Sequence, residues 1–187
     1  DNPDVGLVVK TFIRGGCLMD KNAIEEELKR TLSKYENRKC KVYLMHGDLS
    51  DEEMHSLYNH KKINALVSLT HGEGFGLPIL EAAACGVPVV ATKWSAHTDY
   101  MKKDSYLDIK YDLVEISDER VDGNLFIKGM KWAEASEKSA TEALEKLYKY
   151  YSIYDKRAKK HQESLLESHS FESIKNQYQE HFYKILC

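Results

Sequence analysis

Residues 63–92 read INALVSLTHGEGFGLPILEAAACGVPVVAT, and their order constrains the fold more than anything else in the chain. The apolar run Ile63–Thr70 predicts a strand, and "VPVVAT", ending at Thr92, predicts a second. Between them lie a Gly-rich turn, His71–Leu77, and a helix expected over Pro78–Cys85. Pro78 suits a first helical turn, where no N–H is required. Gly86 suits the position just past the helix end, with Pro88 following it. Two strands joined through one helix pair in parallel, and parallel sheets are covered by helices.

The rest of the chain repeats that alternation. "VGLVV", Val5–Val9, predicts a buried strand. "NAIEEELKRTLSKY" places Ile24, Leu28, Leu32 and Tyr35 on one helical face, with Asn22 and Glu25 as its N-terminal cap. "KVYLM", Lys41–Met45, predicts another strand, and Ser50 with Glu53 forms a capping box for a short helix. From Ser136 onward helical patterns dominate. Leu144, Leu147 and Tyr151 form one stripe, and Phe171, Ile174, Tyr178, Phe182 and Ile185 another. Asp118–Gly123 is loop-like but too short for an interdomain linker. The expected fold is therefore α/β, a Rossmann-like parallel sheet with helices on both faces and a helical carboxyl-terminal region. At 187 residues, the chain is expected to be a single domain over 1–187.

Composition excludes several classes. With 27 basic and 30 acidic residues and a net charge of −3, nucleic acid is not an expected partner. No apolar run approaches the ~20 residues of a transmembrane segment, and the first residues do not read as a signal peptide. Cys17, Cys40, Cys85 and Cys187 lack CxxC spacing and read as free thiols in a reducing, cytoplasmic setting. No His/Cys/Asp cluster has metal-ligand spacing, so no metal is expected. The absence of a GxSxG elbow leaves a serine nucleophile unsupported.

The Gly-rich turn carries the chemistry. In an open parallel sheet, ligands bind beyond the carboxyl ends of the strands, where this turn lies. Gly72, Gly74 and Gly76 let backbone N–H groups approach a ligand closely. The helix starting at Pro78 points its free N–H groups and positive dipole end at the same place. That is an anion site, best matched by phosphate. Glu73 and Glu81 would repel phosphate alone, but each can accept hydrogen bonds from sugar hydroxyls. A nucleoside-diphosphate sugar has hydroxyls at both ends and negative charge between. The competing reading makes Glu73 a solvated loop residue and Glu81 a surface residue of an amphipathic helix. Against it, "LPILEAAAC" is almost wholly apolar, so a buried Glu81 would need a partner.

"EGFGLPILEAAACGVPVVAT" resembles the Glu-x7-Glu signature of retaining glycosyltransferases with the GT-B fold, the glycosyltransferase group 1 and glycogen-synthase-like superfamily. "NPDVGLVVK", "VYLMHGDLSDEEMHSLYNHKKINALVSLTHGEGFG", "WSAHTDYM" and "FESIKNQYQEHFYKIL" appear in the expected order and span most of the chain. The resemblance implies the donor-binding domain of a two-domain enzyme that transfers a sugar with retention of configuration. It implies that Glu81 holds the ribose hydroxyls. Gly74, Phe75, Gly76 and Leu77 would present backbone groups to the diphosphate and sugar, and Glu73 would contact the donor sugar near the reacting carbon. His46 and Gly47 fall where family members contact the base. No cofactor or metal is implied, because the helix N-terminus and basic side chains neutralise the leaving diphosphate. The acceptor would bind through an amino-terminal domain that this sequence does not contain. The family's basic Arg–Lys pair, just after the domain's first strand, is likewise missing, so the chain by itself is expected to transfer no sugar. The terminal helix would cross toward the absent domain, leaving an apolar strip and a tendency to self-associate.

Other residues stay open. Lys10, at the carboxyl end of its strand, either reaches the phosphates or serves packing and solvent. His71 and His97 either touch the ligand or are satisfied loop histidines. Tyr148, Tyr150, Tyr151 and Tyr154 read as helix packing, and "KRAKK", 156–160, reads as a solvated helix face. Two rival functions remain. A non-catalytic nucleotide-sugar-binding module would keep the same pocket. A dinucleotide-binding oxidoreductase would explain "GEGFG" as a partial GxGxxG. The third glycine of that pattern is misplaced, however, and no acidic residue ends the following strand.

Overall fold

The structure is a computed structural model that describes residues 1–13 and 17–186. It divides into two compact units, Asp1–Met54 and His55–Cys187.

The first unit is built on two parallel strands, β1 (Gly6–Thr11) and β2 (Lys41–His46), paired from Gly6 opposite Lys41 to Thr11 opposite His46. The strand expected at Val5–Val9 starts one residue later and is not the buried strand the β-branched run suggests. Val5, Leu7 and Val8 are exposed and only its second half is partly covered. The sheet of this unit has two strands, so β1 has one paired edge, and β-branched content does not by itself bury a strand. Helix α1 (Leu18–Leu32) continues into a 3-10 turn over Ser33–Tyr35. Its cap position is Cys17, which caps with no side chain. Asn22 therefore lies inside the helix and is not its cap. Asp20 near the start and Lys29 and Arg30 near the end complement the helix dipole instead. Ile24, Leu28 and Leu32 are half-buried as the periodicity requires, whereas Tyr35 is exposed.

Helix α2 (Asp51–Tyr58) begins with the capping box expected from Ser50 and Glu53. Glu53 N–H donates to Ser50 Oγ at 3.2 Å, and Ser50 N–H donates to Glu53 Oε2 at 2.8 Å.

The second unit centres on a parallel sheet of β3 (Leu66–Ser68), β4 (Val89–Thr92) and β5 (Leu107–Ile109), with β4 in the middle. All four residues of β4 are buried, as a central parallel strand requires. β3 is shorter than the run Ile63–Thr70, because only Leu66–Ser68 pair with β4. Between these strands lies α3 (Leu77–Ala84). It ends in a Schellman motif: Val87 N–H donates to Ala82 O at 2.9 Å and Gly86 N–H to Ala83 O at 3.0 Å. Gly86 supplies the left-handed residue the motif needs, at φ +73.

A short antiparallel hairpin, β6 (Tyr111–Glu115) with β7 (Lys131–Ala135), follows the parallel strands. The sequence reading missed β5, β6 and β7. Three helices close the unit: α4 (Glu137–Lys149), α5 (Tyr151–His169) and α6 (Phe171–Leu186). Ser136 caps α4 by accepting the Ser139 N–H at 3.3 Å. Helix α4 packs Ala140, Ala143 and Leu147 on Val90, Leu107 and Ile109, with Tyr151 and Tyr154 covering the cluster. Alternation along β4 turns Val89 and Ala91 to the other side, and α3 packs on β3 and β4 and is covered in turn by α5. Helices therefore flank this parallel sheet, the α/β arrangement the alternation predicts. Tyr148 and Tyr150 are exposed, so only half of the tyrosine cluster packs. On α6, Phe171, Tyr178, Phe182 and Ile185 are all exposed.

Among the described residues, no helix is long and apolar enough to cross a membrane, and Cys17, Cys40 and Cys85 are free thiols.

Candidate functional site

The Gly-rich turn leaves the carboxyl end of β3 and enters α3. Gly76 is the cap residue, at φ +82 and ψ +47. A Cβ there would lie 2.9 Å from the Tyr100 hydroxyl and 3.2 Å from His97 Cβ. Fold and packing therefore both demand glycine at 76. At Gly74 a Cβ would meet nothing within 4 Å, so the protein's own packing does not explain that glycine. Open space beside bare backbone is what a closely approaching ligand requires.

Among the described residues, the N–H groups of Gly74, Phe75, Gly76 and Leu77 have no intramolecular acceptor. They share one small region with the positive end of α3, and Pro78 leaves no competing N–H. Phe75 and Leu77 expose their side chains, so their part in the turn is their backbone.

The turn is pinned from outside by the segment after β4, which contains a 3-10 turn over Ala96–Asp99. Glu73 N–H donates to Ser95 Oγ at 2.8 Å, and Ser95 Oγ donates to the Glu73 carbonyl. The Tyr100 hydroxyl donates to Gly76 O at 2.7 Å and to Phe75 O at 3.0 Å. Burial, and then the negative charge of Glu73, push the Tyr100 phenol well above its ordinary value, so it remains a donor. His97 is buried, with Nε2 donating to the Thr92 carbonyl at 2.8 Å. His71 is tied down too: its Nδ1 reaches Ala133 O at 2.9 Å. His71 is thus held by the protein itself, whereas the buried His97 Nδ1 has no partner among the described residues.

Glu73 is half-buried and accepts a hydrogen bond from the Thr70 hydroxyl at 2.9 Å. Glu81, on α3, is exposed, so burial among apolar neighbours is not an argument for its role. Among the described residues its side chain's one close partner is Tyr58, whose hydroxyl lies 3.5 Å from Oε2 and 3.4 Å from Pro78 O. Burial first, then the Glu81 charge, push the Tyr58 phenol up to about 12. It is protonated at neutral pH and can donate, although both distances are near the limit for a hydrogen bond.

In the first unit, His46 closes β2 and Gly47 follows at φ +115, with nothing within 4 Å of a Cβ there. His46 Nε2 is buried and has no partner among the described residues. Lys10, next to the end of β1, places its ammonium 4.9 Å from the centre of the Phe12 ring.

Sequence reasoning missed Ser95 and Tyr100 as supports of the turn, Tyr58 beside Glu81, and Trp132 against His71. Ser95 and Tyr100 lie inside the quoted stretch "WSAHTDYM", but no spacing rule links a serine to a backbone amide 22 residues before it.

This geometry, a strand–glycine turn–helix unit with free backbone donors at the end of a parallel sheet, defines an α/β domain of the doubly wound kind. Residues 8–161 match the glycosyl transferases group 1 family, and the chain belongs to that family. Sucrose-phosphate synthase from Thermosynechococcus elongatus has a similar structure, with a TM-score of 0.65 at 15% sequence identity over 96% of this chain. The fold is accordingly the Rossmann-like α/β architecture of GT-B glycosyltransferases. The chain spans 38% of the length of that synthase. No curated protein matches the sequence.

Proposed function

We propose that this chain is the donor-binding domain of a retaining glycosyltransferase that takes a hexosyl group from a nucleoside-diphosphate sugar. One observation carries the reading: the unpaired N–H groups of Gly74–Leu77 at the start of α3, in a turn that also bears Glu73. The diphosphate accepts those N–H groups and sits at the positive end of α3. As the sugar departs, negative charge builds on the diphosphate, and donors fixed in advance stabilise it without reorganising. Glu73 faces the donor sugar near the reacting carbon, and Glu81 accepts the ribose hydroxyls. His46 and Gly47 serve the base; the resemblance to the family supports this, as does the unpartnered His46 Nε2. In this reading Lys10 is a secondary phosphate contact, the whole of 1–187 acts as one nucleotide-sugar-binding domain, and no metal or cofactor takes part. The acceptor, a sugar or glycoconjugate, binds outside this chain. The free thiols fit a reducing, cytoplasmic setting.

Calorimetry with UDP-glucose, GDP-mannose, ADP-glucose, the matching diphosphates and NAD tests the reading. Binding of at least one sugar nucleotide and its diphosphate, with none of NAD, is the expected result. Binding of NAD alone would return the chain to the oxidoreductase reading. Binding without sugar transfer, once an acceptor is supplied together with an amino-terminal domain, would make it a non-catalytic module.

A further inference from the structure

Ser95 adopts φ +88 and ψ −172, a backbone conformation essentially reserved for glycine. Only two non-glycine residues among those described have positive φ, Ser95 and Asp104. A serine there is disfavoured for its backbone, so its side chain must repay the conformation. The hydroxyl does so at one place. It accepts the Glu73 N–H at 2.8 Å and donates to the Glu73 carbonyl, satisfying both backbone polar groups of a residue 22 positions earlier. The Ser95 carbonyl is itself held, by the Thr98 N–H at 3.1 Å and the Thr98 hydroxyl at 2.7 Å. Tyr100 fixes the next part of the turn through Phe75 and Gly76. Residue 73 therefore depends on a single side chain for its backbone hydrogen bonds, and that side chain is presented by a strained residue.

We propose that Ser95 is a positioning residue that sets the direction of Glu73 toward the donor sugar. The proposal rests on the reading of Glu73 as the sugar contact. A glycine would relax the backbone at 95 but leave the Glu73 peptide without its partner. The stability of the domain and the placement of Glu73 should therefore separate on substitution, which a merely structural serine would not allow.

The test uses Ser95→Gly and Ser95→Ala in the 187-residue chain, with two readouts. Amide hydrogen exchange at Glu73 should accelerate about tenfold in both variants, the scale of one lost hydrogen bond, while Ser95→Gly keeps or raises Tm. Affinity for whichever of UDP-glucose, GDP-mannose or ADP-glucose binds should fall about tenfold, with affinity for the matching diphosphate nearly unchanged. Unaltered exchange at Glu73 overturns the proposal, and so does an equal loss for sugar nucleotide and diphosphate accompanied by a lower Tm. If the unsubstituted chain binds none of the three donors, the functional reading fails on its own account. The exchange rates still decide whether Ser95 positions Glu73.

Discussion

The Trp132 indole lies flat against the His71 imidazole, with ring centroids 4.1 Å apart and planes 5° from parallel. Ala133 N–H donates to the His71 carbonyl at 3.2 Å, and His71 Nδ1 donates to the Ala133 carbonyl at 2.9 Å. His71 thus pairs with β7 through both its backbone and its ring, and the hairpin grips the residue that opens the Gly-rich turn. Phe126 meets Trp132 edge-on at 5.9 Å. Trp132→Ala should cost ~2 kcal/mol, below the ~3–5 kcal/mol of a fully buried Trp truncation, because Trp132 is half-buried. In a domain of this size that is about 4–8 °C in Tm. Thermal denaturation measures it, and an unchanged Tm would show that the stack carries no weight.

Glu81→Ala should weaken nucleotide binding by ~1.5–3 kcal/mol, the scale of a hydrogen bond to a charged group. Stability should barely move, because Glu81 is exposed and its contact with Tyr58 is long. Calorimetry with a nucleoside diphosphate and a melting curve read the two quantities separately. Unchanged affinity would remove Glu81 from the ribose site.

Much of this architecture is legible in the sequence because its signals are local. The Ser50–Glu53 box, the Gly86 stop and the Ser136 start each rest on residues within one helical turn of one another, and each forms as the spacing dictates. The Gly-rich turn is legible for the same reason. What escapes is non-local. The strands β5, β6 and β7 are short, and the three of β5 are paired only by their place beside β4. Val5, Leu7 and Val8 look like core and are exposed, because burial is decided by what packs against a strand. Ser95 and Tyr100 reach the turn only through the fold.

Glu73→Gln keeps the shape of the side chain and removes its charge. If Glu73 faces the donor sugar near the reacting carbon, turnover in a sugar-transfer assay should fall ~10²- to 10³-fold, the usual cost of one preorganised electrostatic group. Affinity for the free diphosphate should hardly change, since that ligand lacks the sugar. The Glu73 backbone bonds to Ser95 are untouched by the substitution. A parallel loss in both quantities would point instead to collapse of the turn.

His161 is buried on α5, and its Nε2 has no partner among the described residues. Burial first, then the charges of Lys102 and His169, lower its pKa. Its folded pKa is thus below the ordinary ~6.5, and as pH drops through that value the unfolded chain takes up the proton first. The contribution of His161 to stability is complete above pH ~6.5 and is lost progressively below it, levelling off once the folded form is protonated too. Denaturant melts of the unsubstituted chain and His161→Gln between pH ~7.5 and ~5 measure the slope. The variant should be less stable at the upper end and show a flatter acid limb. An identical slope would assign the acid loss to other groups.

Two glycines of one turn should respond in opposite ways to the same methyl group. At Gly76 the backbone is left-handed, at φ +82, and a Cβ would press 2.9 Å from the Tyr100 hydroxyl. Forcing an L-residue into that conformation costs about 1–2 kcal/mol before any clash is counted. Gly76→Ala should therefore lower stability by at least ~2 kcal/mol, part of it from displacing the Tyr100 bonds to Gly76 and Phe75. At Gly74 a Cβ meets nothing and no positive φ is recorded there. Gly74→Ala should leave stability unchanged or raise it by ~0.4–1 kcal/mol, because the unfolded chain loses freedom. If the space beside Gly74 is filled by the donor's diphosphate and sugar, the same methyl should cut nucleotide-sugar affinity by about tenfold or more. The unsubstituted chain is expected to bind in the ~0.1–1 mM range, about 4–5.5 kcal/mol, so the loss is measurable by calorimetry or ligand-observed NMR. A Gly74→Ala variant that binds as well as the parent would show that the open space is not where the ligand sits.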